Sequence, residues 1–202
     1  MNQHSRLTRP ANPAFAEGLI FARYLDEAAE GFFRFMLGRN AVDIIATAFT
    51  QPAHDLSYQN VIVAERDNII FGMASGYTAE QHRESSNQPL KQAAGAQAVR
   101  MMAVATLCAP LLRFLESHAD GDFYLQSIAV DKAHRGEGIG SALIDACEDR
   151  ARACGATRLV LDVSAGNTSA RRLYERRGLT VESMWPRSFF LPRFIVRMTK
   201  SL

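Results

Sequence analysis

Tyr124-Leu-Gln-Ser-Ile-Ala-Val130, followed four residues later by Arg135-Gly-Glu-Gly-Ile-Gly140, decides the fold of this chain. It reads as a strand, a short connection, a glycine turn and a helix start. The stripe Ile139, Ala142, Leu143, Ala146, Cys147 and Ala151 continues at helical spacing, and Gly155 stops it. Gly136, Gly138 and Gly140 let the main chain take positive φ and lie close to a ligand. The N–H groups of such a turn, at a helix N-terminus, form an anion site. A phosphate-bearing ligand is therefore expected.

Three ligands compete for that turn. A P-loop needs a Lys after its last glycine, and Ser141, Ala142 and Leu143 stand there instead. A dinucleotide fingerprint needs a different third spacing and glycines straight after the strand. Asp162, ending the strand-like Arg158–Asp162, lies at a suitable distance for it. However, Asp131 to Arg135 intervene, and little chain remains beyond Asp162 for a second half. The third reading is Arg135-x-x-Gly138-x-Gly140 preceded by Ile128-Ala-Val130. It is accompanied by a second element, Asn167-x-x-Ala170-x-x-x-Tyr174-x-x-x-Gly178-Leu179.

Together these two elements resemble the acetyl-CoA motif and following helix of the GNAT superfamily of N-acetyltransferases. The resemblance covers Tyr124 to Leu179, with Leu179 where the family usually has Phe. It implies an α/β (α+β) fold with a mixed, mostly antiparallel central sheet flanked by helices. It also implies acetyl-CoA as cosubstrate and no metal. The residues expected to hold acetyl-CoA are Ile128, Ala129 and Val130 on a splayed strand, and Asn167. The turn Arg135, Gly136, Glu137, Gly138, Ile139, Gly140 and Ser141 would take the pyrophosphate, with the Glu137 side chain turned to solvent. Tyr174 would sit near the thioester sulfur. Asp162 stands where some members carry a glutamate base, and is the candidate catalytic base.

The rest of the chain bounds this reading. Its 202 residues suit one domain, 1–202, with an insertion at about 79–119 between the third and fourth strands. With 48% apolar residues, 22% charged residues and a net charge of +2, nothing calls for nucleic acid or a membrane. The run Val99 to Leu115 is too short and broken to span a bilayer. Cys108, Cys147 and Cys154 have no C-x-x-C spacing, and residues 1–6 lack a signal-peptide core, so a cytoplasmic protein is expected. Cys147 lies on the core stripe and reads as an inert hydrophobe.

Ser5 to Ala11 is expected to be a short strand, and Asn12-Pro13 a helix start. Apolar spacing from Leu19 to Leu37 predicts an interrupted helix, and Val42 to Phe49 another. Val61–Ala64 and Ile69–Ala74 flank Arg66-Asp67-Asn68 as a hairpin. Thr78 to Gln97 is polar and turn-rich, and Ala98 to Leu115 is helical. The inserted segment reads either as a flap over a sheet edge or as a wall over the acceptor site. On the stripe helix, Glu148, Asp149 and Arg152 are expected to face away from the core. Arg158–Val163, Thr180–Met184 and Ile195–Thr199 are strands, and Asn167–Arg177 is a helix.

An alkyl ammonium of pKa about 10.4 costs about 4.6 kcal/mol to deprotonate at pH 7, so a base or a water path is useful. Besides Asp162, Glu65, Glu80, Asp122, Glu182 and His82 are candidates. Helices between Phe15 and Phe49, the insertion and a hairpin around Trp185–Ser188 would wall the acceptor pocket by analogy. An amino acid, a peptide N-terminus or a small amine all fit that mixture of Phe, Met and Leu. Arg171, Arg172, Arg176 and Arg177 read as a solvated helix face or a nucleotide-phosphate contact. A homodimer is compatible with the family but nothing in the chain specifies it. Non-catalytic acyl-CoA binding and nicotinamide-dependent oxidoreduction are the other classes considered.

Overall fold

The computed structural model describes residues 7–186 and 192–202. Ser5, Arg6, Arg187 and Ser188, which carried parts of two expectations above, lie outside the described residues.

Seven strands form one sheet in the order β1-β2-β3-β4-β5-β7-β6. They are β1 (Thr8–Pro10), β2 (Val61–Arg66), β3 (Ile69–Thr78), β4 (Asp122–Val130), β5 (Arg158–Ser164), β6 (Thr180–Trp185) and β7 (Ile195–Ser201). Among the described residues only β4 and β5 run parallel. Every other pairing is antiparallel, which suits hairpin connections and excludes a doubly wound dinucleotide-binding sheet. The expected mixed, mostly antiparallel sheet is the one observed.

Alternation along the strands sends side chains to two faces, each with its own core. Ile62, Phe71, Phe123, Leu125, Leu159 and Leu161 pack against α8 (Ile139–Ala153) and α9 (Thr168–Arg176). Val61, Val63 and Met73 pack on the other face against α1 (Phe15–Ala28), α2 (Phe32–Leu37) and α3 (Ala41–Phe49). Each fully buried Leu, Ile or Phe contributes about 1.5–3 kcal/mol to holding these layers together. The β2–β3 hairpin turns on Asp67 and Asn68 at φ 53° and 62°, the paired positive φ of a two-residue hairpin.

Some boundaries differ from expectation. Helix α1 begins at Phe15 with Ala14 as its uncapped N-cap, two residues after the expected start. Asn12 instead donates from its main chain and its amide to the Glu17 carboxylate, at 2.9 and 2.8 Å. Glu148 does not face away. It is buried and accepts from Lys200 at 2.7 Å and from Arg152 at 3.0 Å, a pairing set by β7 and invisible in the helix's own spacing.

The insertion between β3 and β4 is helical, as expected, and begins earlier than its composition suggested. It comprises α4 (Ala79–Glu84), α5 (Gln88–Ala94), α6 (Ala98–Leu107) and α7 (Ala109–Leu115). A capping box of Thr78 and Gln81 starts α4 within the polar stretch. Ala94 and Met101 join the core under α1–α3, and Arg100 donates to the Phe35 carbonyl at 2.8 Å. Within the segment α4 packs on the interior strands β3 and β4, while α5 lies on α3 and α6 on α2. No single helix among the described residues is long and apolar enough to cross a membrane. One pair, Gln88–Leu107 with Ala109–Leu115, meets that test together but is bent by 81°.

Candidate active site

The parallel pairing of β4 and β5 ends early. Asp122 to Leu125 pair with Arg158 to Leu161, and beyond that rung the strands part. The fork opens a cleft of about 690 Å³ lined by β4, β5 and the starts of α8 and α9, with Glu27, Ala28 and Glu30 from α1's end at one side. Gln126 and Asp162 are the next residues on the two strands, so they flank the apex. Gln126 is also the extra residue of a bulge, since Ser75 pairs with Ser127 and Gly76 with Leu125. Gly76 permits the close approach there, because a Cβ would stand 2.5 Å from the Phe123 ring.

On the opened strand, the Asp131 N–H donates to Phe71 O at 2.8 Å. By antiparallel alternation, Ala129 also faces β3, while the N–H and C=O of Ile128 and Val130 face the cleft. Arg135 confirms this, since its Nε donates to Val130 O at 3.1 Å. The fork thus presents main-chain amides with no strand opposite them.

At the cleft's far end, Gly136 and Gly138 take φ 89° and 83°. Gly138 is the N-cap of α8, without a side chain to cap it, and the first turn has no acidic residue. The N–H groups of Ile139, Gly140 and Ser141 therefore lack an intrahelical acceptor. A Cβ on Gly136 or Gly138 would meet nothing within 4 Å, so both border open space. The residues present fit a diphosphate: uncapped donors, a positive helix end and no side chain in the way.

Ile128, Ala129, Val130, Arg135, Gly136, Gly138, Ile139, Gly140, Ser141, Asn167, Tyr174 and Asp162 all line the cleft. Glu137 does not. Its exposed carboxylate lies 3.2 Å from His134 Nδ1. Arg135 reaches back to Glu27, its guanidinium 2.9 Å from Oε1. The Asn167 side chain accepts from the Ala170 N–H at 3.1 Å and caps α9. Tyr174 is 6% exposed, and burial pushes its phenol up to about 12, so it stays protonated at any physiological pH. Arg176 lines the cleft, whereas Arg177 pairs with Asp145 and Arg171 with Glu175.

Asp162 is placed differently from a free base. The residue meets the cleft, yet its side chain is only 3% exposed, so it is the main chain that faces the opening. Both carboxyl oxygens accept from Arg197, at 3.0 and 2.7 Å. Burial raises its pKa, and the Arg197 guanidinium opposes that shift. The other acidic candidates are also engaged: Glu65 with Arg9, and Asp122 and Glu182 with Arg158. His82 pairs with Asp55 at 2.8 Å and stacks on Tyr77. Neither these groups nor Glu80 line the cleft.

Sequence reasoning missed three participants. Gln126 lines the apex, its carbonyl oxygen accepting from Ser75 Oγ at 3.1 Å while Ser75 and Ser127 share a hydrogen bond of 2.7 Å. Arg197 and Glu27 act through partners 35 and 108 residues away, beyond any local spacing. Among the described residues no group of three or more His, Cys, Asp or Glu is placed to hold a metal.

Comparison with known proteins matches this geometry. A model of the acetyltransferase (GNAT) family matches residues 22–179. An acetyltransferase crystal structure superposes with a TM-score of 0.69 and 26% identity, covering 96% of this chain and 98% of the other. An N-acetyltransferase from Staphylococcus aureus Mu50 shares the fold at TM-score 0.66 and 16% identity, over 96% of this chain and 100% of its own. A curated relative, the L-methionine sulfoximine/L-methionine sulfone acetyltransferase of Salmonella typhimurium, is 35% identical over 60 residues. That match covers 30% of this chain and only 35% of the relative. The forked strands, the uncapped glycine turn and the matched region coincide, and the chain belongs to the GNAT family of acetyltransferases.

Proposed function

We propose that this protein transfers the acetyl group of acetyl-CoA to a primary amine, by direct attack within a ternary complex. The observation that carries the proposal is the fork, where Ile128 and Val130 turn main-chain amides to the cleft with no strand opposite them, leading to the uncapped start of α8. Acetyl-CoA supplies a thioester, a flexible arm with two amides, and a diphosphate. The arm would pair with the β4 amides and the diphosphate with the N–H groups of Gly138 to Ser141. Asn167 would hold the arm from the other side.

In the reaction the amine nitrogen forms a bond to the acetyl carbon, and the C–S bond breaks. The ammonium loses a proton, and the departing thiolate gains a hydrogen bond or a proton. A β4 amide aimed at the thioester oxygen would stabilise charge that develops only during attack, worth about 2.7–4 kcal/mol. Tyr174, with its phenol at about 12, would face a thiolate of ordinary pKa about 8.5. Complete proton transfer would be uphill by about 3.5 units, nearly 5 kcal/mol. Tyr174 therefore acts as a hydrogen-bond donor that relays a solvent proton. The Asp162 carboxylate is committed to Arg197, so the ammonium proton leaves to solvent.

The acceptor is a small amine or a peptide N-terminus, and the relative's sulfoximine and sulfone substrates are the first compounds to try. A reducing cytoplasm and a single domain complete the proposal. Thiol release from acetyl-CoA, measured over a panel of amines, tests it. Turnover with at least one amine is expected. Binding of acetyl-CoA with no thiol release from any amine would favour a non-catalytic acyl-CoA-binding module.

A further inference from the structure

We infer that Arg197 is a positioning residue for the acceptor. It clamps the end of the helical insertion to the fork and so holds the wall of the acceptor side in register with the reacting centre. This inference rests on the transferase reading above, and deepens it.

Arg197 sits on β7, across the sheet from Asp162 on β5. Its guanidinium makes two sets of bonds. Toward the sheet, Nε and one terminal nitrogen donate to the two Asp162 oxygens at 3.0 and 2.7 Å. Away from the sheet, its terminal nitrogens donate to the carbonyls of Phe114 at 2.7 Å, Leu115 at 3.3 Å and Ser117 at 2.6 Å. Ser117 Oγ is a further partner at 3.0 Å, and the Phe114 ring centroid lies 4.5 Å from the guanidinium carbon. Phe114 and Leu115 end α7 and Ser117 follows its C-cap Glu116, so the guanidinium meets the helix's partly negative end. Only a planar group with five fixed donors can serve a carboxylate and a helix end at once. The two side chains are 6% and 3% exposed, so this arrangement is built into the protein and not a surface pairing.

Its position gives it consequence. Asp162 is the first residue of β5 beyond the last rung, and its main chain lines the cleft apex. Outside the cleft's own lining, the Phe114 ring lies 6.5 Å from Trp185, which in turn lies 5.0 Å from Phe194 on the strand connection before β7. Asp162, Arg197 and Trp185 share the sheet face opposite α8 and α9. The groups that grip acetyl-CoA in the proposed function lie elsewhere, on the far half of β4, α8 and α9. Loosening the clamp should therefore reach the acceptor and leave acetyl-CoA binding alone.

The test uses Arg197→Lys, which keeps the charge and loses the fork, and Asp162→Asn, which keeps the shape. Three quantities are read in the full chain: the Kd of acetyl-CoA by calorimetry, amide exchange over 109–119, and steady-state kinetics. The amine is whichever of the panel the wild type uses, beginning with L-methionine sulfoximine. For Arg197→Lys we expect unchanged acetyl-CoA Kd, faster exchange over 109–119, and an acceptor KM raised about tenfold with kcat nearly unchanged. Asp162→Asn should retain the wild-type pH profile of kcat. An unchanged acceptor KM in both variants would overturn the inference, whatever the exchange shows. Loss of the ascending pH limb in Asp162→Asn would also overturn it, by making Asp162 the base. Should Arg197→Lys fail to fold, Asp162→Asn decides by the same two readouts. If the wild type binds acetyl-CoA but uses no amine, the transferase reading falls. The clamp is then judged on exchange alone, with unaltered protection over 109–119 refuting it.

Discussion

Tyr174, buried, and His118, half-buried, are two polar residues with opposite meanings. Tyr174 faces the cleft with a phenol that burial keeps neutral. Changing Tyr174 to Phe removes one donor and little volume, so acetyl-CoA affinity should hold while kcat falls about 100-fold. Stopped-flow thiol release and calorimetry on the same preparation separate the two effects. His118 packs on Tyr124 with ring centroids 4.2 Å apart, and both ring nitrogens are buried with no hydrogen-bond partner among the described residues. Burial first, then Arg197, lowers its pKa from 6.5 to about 4. In that window the unfolded chain binds a proton that the folded chain refuses, so stability must fall as pH drops from 6.5 toward 4. His82 has the opposite sign: its bond to Asp55 raises its pKa, and that contribution fades as pH rises above 6.5. His118→Phe keeps the ring and removes the orphaned nitrogens. It should stabilise the protein by about 1 kcal/mol near neutrality, and more at pH 5, in thermal unfolding followed by circular dichroism.

At the scale of elements, the turn into α8 does the most specific work. Gly138→Ala would force a Cβ onto φ 83°, a strain of about 1–2 kcal/mol, and place a methyl in the space assigned to the diphosphate. Acetyl-CoA affinity should weaken about tenfold, roughly 1.4 kcal/mol, with the melting temperature of the free protein reduced as well. Asn167→Ala should cost about 1 kcal/mol of α9 stability through the lost cap, and weaken acetyl-CoA on top of it. Both features were legible in the sequence because they are local: a glycine at a fixed offset from a strand, an Asn one residue before a helix. Helices α4 and α5 were not legible. Their stretch is polar, and the Thr78–Gln81 box and the Pro near the start of α5 are weak signals when no apolar stripe follows them.

At the scale of the whole molecule, the fold was legible where motif and order sufficed, and the acceptor side was not. The register of β5 on β7 sets Asp162 opposite Arg197 and so takes from Asp162 the freedom a base requires. No spacing in the chain announces a pairing across 35 residues. Likewise, the insertion's composition allowed a flap over a sheet edge or a wall over the acceptor site. Its end is tied to the sheet where the Phe114 and Ser117 carbonyls accept from Arg197. Breaking a buried pair of this kind by removing one partner costs about 3–5 kcal/mol, so Asp162→Ala should unfold at markedly lower denaturant than the wild type.

The claim on which the rest depends is that the forked β4 amides and the open turn of α8 hold acetyl-CoA. Isothermal titration of the wild-type chain with acetyl-CoA tests it most directly. Saturable binding at one site per chain, weakened in Gly138→Ala and retained in Tyr174→Phe, is the result expected. Absence of saturable binding by folded wild-type protein, or equal affinity in Gly138→Ala, would contradict it.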